Sequence, residues 1–350
     1  MPADQRDVPR RSGGAPSRLR LPPGLALGGT GLAQHAGGPA NAAELVAAAW
    51  ADGVRYFDTA PMYGGGRSER WLGDALRPFP REEYVLSTKV GRLVRRGEPQ
   101  LPGEDRLWRF DFSAAAVARC VEESLERLGV DRLDVVLLHD PDQFLPGAIE
   151  QAWPVLERLR ADGVVGAIGV GTTRADVLAR LLGEVELDLA LLAGRLSLVD
   201  GEAAEDVLPL VTERRVELVV ASALHAGLVD GRDSGQFHYA PTPPAVVRRV
   251  AAIRAVCDRY ATPIGAVALQ LVLAVPGVST VLTGAADAAQ WRQNLGWSRY
   301  PVPPELWQEL AARGLLALEL PATLATASPV GPVTAGRHQR PSRPPTPPRS

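Results

Sequence analysis

No stretch of 18 or more apolar residues occurs in this 350-residue chain, so no membrane-spanning helix is expected. An excess of one charge is missing too. Thirty-eight Lys and Arg against 40 Asp and Glu leave a net charge of -2, which argues against a nucleic-acid binder and its basic surplus. An anionic cofactor, which needs only local positive charge, stays open. Cysteine is scarce: Cys120 and Cys257 lie far apart inside predicted helices, with no C-x-x-C. That excludes a redox dithiol and offers no zinc-ligand spacing. They read as buried thiols of a reducing, cytoplasmic compartment, and no metal is expected. The opening MPADQRDVPRRSGGAPS is charged but has no apolar segment behind it, so it is not read as a secretory signal. The dinucleotide signature G-x-G-x-x-G is approached three times and never completed. Gln34, Glu69 and Arg174 stand where the third glycine belongs. P-loop, H-E-x-x-H and G-x-S-x-G elements are absent as well.

What is present suits a globular core, with 46% hydrophobic and 22% charged residues. The ends differ from it. Residues 1–17 are rich in Pro, Gly, Ser and Arg, and residues 321–350 hold eight prolines, four arginines and no acid. Neither can bury enough apolar surface to offset its ordering entropy, so both read as disordered extensions around one unit, residues 18–320. Inside that unit, short apolar runs alternate with amphipathic ones. Strands are expected at 25–27, 54–57, 84–88, 133–138, 164–170, 187–192, 216–220 and 279–282. Helices are expected over 42–52 with Asn41 as cap, 67–77, 114–128 between Ser113 and Gly129, 147–162, 174–182, 203–214, 244–260, 263–274 and 287–295. Several strands are apolar throughout, as strands covered on both faces must be. Eight strand-then-helix units predict an α/β chain folded as one (β/α)8 barrel. An open doubly wound sheet is the alternative, and the missing glycine signature counts against it.

A barrel of this kind carries its chemistry where strands end on the C-terminal face. Asp58, Lys89 and His139 each follow a predicted strand directly, and Tyr63 lies in the Gly-rich loop after Asp58. Singly, each has an ordinary explanation as a cap, a solvated cation or loop packing. Four titratable groups on one rim are harder to explain that way. Together they make chemical sense. A tyrosine, with its usual pKa of about 10, moves a proton near neutrality only if its anion is stabilised. An ammonium does that, a carboxylate holds the ammonium charged, and a neutral imidazole orients a substrate oxygen. Nothing in this set carries electrons, so redox work needs a cofactor.

The segments GVRYFDTAPMYGGGRSE, VLSTKVGR and VVLLHDPD resemble the signatures of the aldo-keto reductase superfamily, in order, over residues 21–316. The resemblance implies a (β/α)8 barrel binding an extended NAD or NADP, with Tyr63 as acid/base, Lys89 and Asp58 as its tuners and His139 orienting the substrate. LALGGTGLA, ERLRADGVVGAIGVG, LLAGRLSLVD and an insert over residues 92–112 are most similar to the aldose 1-dehydrogenase branch. That branch includes D-threo-aldose, L-fucose and galactose dehydrogenases and a pyridoxal 4-dehydrogenase. The implied reaction is oxidation of a sugar at C1 to a lactone, with Tyr63 taking the anomeric proton. Another aldehyde or ketone such as pyridoxal, or a non-catalytic cofactor-binding role, are the alternatives. The expected partner is a small sugar or aldehyde, without nucleic acid or membrane, on a monomer or small homo-oligomer.

The same resemblance implies that Gly29, Thr30, Thr172, Thr173, Ser222, Gly227, Gly284, Ala285, Asp287, Gln290, Gln293 and Asn294 contact the cofactor. The usual nicotinamide contacts are replaced. Thr172 or Thr173 stands for an asparagine, Ala193 for a glutamine, Ala221 or Ser222 for an aromatic, and His225 for an asparagine. In TGAADAAQWRQN the family's 2′-phosphate positions read Ala286 and Gln290, with Asp287 between them. A phosphate wants Arg or Lys, and an acid suits a ribose hydroxyl, so NAD is expected over NADP even with Arg292 nearby. Trp108, Phe110, His238 and Tyr239 are candidate walls of the substrate site.

Overall fold

The computed structural model describes residues 19–33, 37–95, 107–229, 236–238 and 240–326. Eight parallel strands close into a barrel in sequence order: β1 Leu25–Gly28, β2 Tyr56–Asp58, β3 Val85–Val90, β4 Leu133–His139, β5 Val165–Thr172, β6 Leu189–Ala193, β7 Glu217–Ala221 and β8 Val278–Gly284, which pairs back to β1. Alternation along each strand divides the apolar side chains between two cores. Ala26, Tyr56, Val135, Leu137, Ala167 and Leu189 point inward and fill the barrel. Leu27, Phe57, Leu86, Val136, Leu138 and Ile168 point outward beneath the helices. Both faces are buried, which is why these segments read as unbroken apolar runs. No described helix is long and apolar enough to cross a membrane.

The helix Ala114–Leu128 has the ends expected of it. Ser113 Oγ accepts the Ala116 amide, and Gly129 closes it at φ +67. The first helix differs. It runs Gly38–Ala51 from Gly37, and Asn41 sits inside it, donating to the Ala286 carbonyl at 2.7 Å. Asn41 therefore ties this helix to the loop after β8 and does not cap. Proline breaks two helices expected to be continuous. Pro154 has no amide to offer Glu150, and the turn before it, Ala148–Ala152, widens to a π-helix ahead of Trp153–Ala161. With Pro209, residues 203–214 split into Ala203–Asp206 and Leu208–Arg214. Helix Pro304–Ala312 and two hairpins were not anticipated. One hairpin pairs Arg92–Val94 with Trp108–Phe110, and the other pairs Gln236–Phe237 with Ala240–Pro241. A short helix, Ala322–Ala325, falls inside the stretch read as a tail, and Leu324 packs on the main core. Described helical structure thus continues past residue 320.

Candidate active site

A cavity of about 650 Å³ opens where the strands end, and Asp58, Tyr63, Lys89 and His139 all line it. Asp58 closes β2 and Lys89 lies near the end of β3, whose pairing brings the two side chains inward side by side. Lys89 Nζ donates to Asp58 Oδ1 at 2.5 Å and to the Thr59 carbonyl at 2.9 Å. The third donor of the ammonium is left for the Tyr63 hydroxyl. Burial works against the charge on Lys89. Asp58, and after it Tyr63, outweigh that and hold the ammonium above the usual lysine range. Asp58 keeps its second oxygen in place through Ser87, whose hydroxyl donates to Oδ2 at 2.6 Å and lies 3.1 Å from the Tyr56 phenol. Burial, then the charge of Asp58, raises the Tyr56 phenol, so it stays protonated as the end of this buried chain.

Tyr63 is placed by the loop that follows β2. Its amide donates to Ala60 O at 3.1 Å, and its carbonyl accepts the Ser68 amide at 3.2 Å. Gly66, at φ +86, turns the chain into helix Arg67–Leu76, a conformation that favours glycine. The Tyr63 ring meets His139 edge-on at 6.0 Å. Burial, followed by the charges of Arg92 and Lys89, pushes His139 well below the usual histidine range. His139 is a neutral imidazole at neutral pH, with Nδ1 unpartnered among the described residues.

Of the residues expected at a cofactor, Thr30, Thr172, Thr173, Ser222, Gly227, Gly284, Ala285 and Gln290 line the same cavity. Gly29 does not. A Cβ there would stand 2.7 Å from Ser68 Oγ and 2.9 Å from Asp58 O, so its role is close packing against β2. The Thr172 hydroxyl is engaged, donating to Asp142 at 2.8 Å and accepting the Arg174 amide at 3.0 Å. Asp287 caps helix Ala288–Ser298 by accepting the Gln290 amide at 2.8 Å, and it lies outside the cavity lining. Asn294 is buried behind the rim, with Nδ2 on Gly284 O at 3.2 Å and Oδ1 unpartnered among the described residues. Gln293 faces solvent. His238 lines the cavity and pairs with Asp200 at 2.7 Å. Trp108 and Phe110 stand back from it, packed edge-on against each other with both rings facing the Arg92 guanidinium. Tyr239 lies outside the described residues.

Sequence reasoning passed over Tyr56 and Ser87, although a signal existed. Each sits two positions before a rim residue, Asp58 or Lys89, and alternate residues of a strand share a face. It also passed over the sharpest mark on Lys89: this is the only lysine in the chain, and the other 37 basic residues are arginines. A chain that uses arginine everywhere else keeps one ammonium, at the place where a compact, protonatable cation is required.

His225 provides a test of the wall after β7. Its Nε2 lies 2.8 Å from Ser197 Oγ, and burial, then the charge of His238, lowers its pKa from 6.5 to about 4. The unfolded chain therefore binds a proton that the folded chain refuses between these two values, and stability falls as pH drops from 6.5 towards 4. The full effect is about 3 kcal/mol. His225→Gln is expected to flatten the pH dependence of urea unfolding in that window. Parallel curves for the two proteins would count against a neutral His225.

Comparison with known proteins points to one family. The model of the aldo/keto reductase family matches residues 24–313. The chain is 38% identical to the D-threo-aldose 1-dehydrogenase of a Pseudomonas species over 287 residues, 78% of this chain and 87% of that protein. It is 36% identical to the pyridoxal 4-dehydrogenase of Microbacterium luteolum over 306 residues, 79% and 89% of the two chains. The holo form of an aldo-keto reductase from Bacillus halodurans superimposes with a TM-score of 0.69 at 26% identity, covering 84% of this chain and 92% of that one.

Proposed function

This chain belongs to the aldo/keto reductase family and is an NAD(P)-dependent oxidoreductase, and we propose that it oxidises an aldose at C1 to the lactone, with Tyr63 as acid/base. The observation that carries the proposal is the buried chain Tyr56–Ser87–Asp58–Lys89 ending at Tyr63 beside a neutral His139. Similarity to the D-threo-aldose 1-dehydrogenase supports the choice of sugar.

The cavity suits an extended dinucleotide. Its lining runs from Tyr63 and His139, past the small residues Ala193, Ala221 and Ser222, to Ala285, Ala286 and Gln290. The Oδ1 of Asn294, unpartnered among the described residues, is a buried acceptor behind Gly284, outside the cavity lining. When bound in the cavity, the nicotinamide supplies the hydride acceptor. The chain handles the proton. His139 holds the anomeric oxygen through hydrogen bonding. Tyr63, its phenolate stabilised by the Lys89 ammonium, takes the proton from that oxygen. Asp58, fixed through both oxygens, keeps Lys89 charged and aimed. In carbonyl reduction the same proton travels back from Tyr63.

NAD is the proposed cofactor. No cationic side chain stands among the described cavity residues at Gly284, Ala285, Ala286 and Gln290, and Gln290 is occupied holding the Ala286 amide at 2.5 Å. Reduction of NAD and of NADP is to be measured with L-fucose, D-arabinose, D-galactose and pyridoxal. Turnover of at least one aldose, with kcat/KM at least about tenfold higher for NAD (about 1.4 kcal/mol), is expected. Turnover of pyridoxal alone favours the second reading, which the 36% identical pyridoxal 4-dehydrogenase supports.

A further inference from the structure

We propose that Asp140 is a substrate-binding residue that takes the hydroxyl on the carbon next to the reacting one, and so selects aldoses over simple aldehydes. This rests on the aldose reading above.

Consecutive residues of an extended strand point to opposite faces, yet His139 and Asp140 both line the cavity. The reason is the backbone. Asp140 has φ +45, a left-handed turn that aspartate accepts more readily than most residues. Its amide is anchored on Gly171 O at 2.8 Å. The turn places Asp140 Oδ2 3.9 Å from His139 Nε2. That is too far for the two to satisfy each other. It is suitably spaced for neighbouring oxygens of a vicinal diol to take one partner each, the reacting oxygen on His139 and its neighbour on Asp140.

The carboxylate has acceptor capacity to spare. Of about four acceptor sites, the Arg92 guanidinium and the Thr173 amide occupy two. Burial raises Asp140 from the usual carboxylate range despite Arg92, so a further donor there meets an under-solvated acceptor. Arg92 is itself locked. Its guanidinium lies 4.7 Å from the Trp108 ring centroid and 4.9 Å from that of Phe110, and it donates to Met62 Sδ at 2.8 Å. The hairpin of Arg92–Val94 and Trp108–Phe110 thus acts on the substrate through Arg92 and Asp140. Pyridoxal has no hydroxyl on the atom next to its aldehyde carbon, so this contact is one it cannot make.

The test compares kcat/KM for two matched pairs, D-galactose with 2-deoxy-D-galactose and L-fucose with 2-deoxy-L-fucose. The proteins are the wild type, Asp140→Asn and Asp140→Ala. The wild type is expected to prefer the 2-hydroxyl by about tenfold or more, the scale of a hydrogen bond to a charged group. Both variants are expected to bring that ratio to within about twofold. A misplaced loop would lower both sugars together and leave the ratio alone. A ratio unchanged in the variants, or near one in the wild type, overturns the assignment and leaves the aldose reading standing. A wild type that oxidises pyridoxal and none of the four sugars overturns both.

Discussion

Tyr63→Phe is expected to lower kcat by about 10²- to 10⁴-fold, the range that a positioned acid/base supplies, while leaving NAD affinity within about twofold. The substitution removes one oxygen and keeps the ring, so the edge-on packing against His139 at 6.0 Å survives. The loop is held by backbone bonds from Tyr63 to Ala60 and Ser68, which phenylalanine can make equally well. What disappears is the group that gives or takes the proton. His139 cannot substitute for it, because burial and the charges of Arg92 and Lys89 keep the ring from holding a proton near neutrality. Cofactor binding by fluorescence titration, alongside single-turnover absorbance at the nicotinamide band, separates the two effects. Wild-type turnover in the variant would remove Tyr63 from the proton path. A wild type that binds cofactor and turns over no substrate, changed in nothing by the substitution, would point to the binding-only alternative.

The second large effect is on stability and activity together. Lys89 and Asp58 have side chains only 3% and 2% exposed. Breaking a buried pair by removing one partner strands a charge and costs about 3–5 kcal/mol. Lys89→Met is therefore expected to lower Tm by on the order of 10 °C and to lower kcat by at least about 10²-fold, since the Tyr63 phenolate loses its ammonium. Asp58→Asn is expected to destabilise similarly, by stranding Lys89. The double variant Asp58→Asn with Lys89→Met is expected to be more stable than the two single losses would sum to, and to stay inactive. Additive Tm losses would show that the two groups are not energetically paired. Lys89→Arg keeps the charge. Even so, a planar guanidinium does not reproduce a compact ammonium with donors to Asp58, Thr59 and Tyr63, so activity is expected to stay low there too. The sign with pH follows from the raised lysine. Its contribution to stability is complete below 10.5 and is lost as pH rises through the higher folded value.

The four residues of the rim were readable because three of them sit at or near strand ends and Tyr63 lies in the Gly-rich loop that follows one. The apolar runs before Asp58, Lys89 and His139 announced parallel strands, and a parallel barrel sends its C-terminal ends to one face. The cap at Ser113 and the stop at Gly129 were readable for a similar reason: they depend on neighbours three or four residues away. Asn41 has the chemistry of a cap and was read as one, but its partner is Ala286, 245 residues on. Asp287 reads locally as an acid for a ribose hydroxyl. Its side chain accepts the Gln290 amide, which is the cap.

Local rules therefore determined the class of fold, the existence and order of the eight strands and the four rim residues, because the period of burial and the chemistry of turns are written within a few positions of each residue. Tertiary structure decided what surrounds those residues. Asp58 is held through Ser87 and Tyr56, His139 is kept neutral by burial and the charges of Arg92 and Lys89, and Asp140 is turned into the cavity and steadied by an arginine that packs against two rings of an inserted hairpin. Desolvation, charge at a distance and the direction of a side chain come from atoms that only the closed barrel brings together.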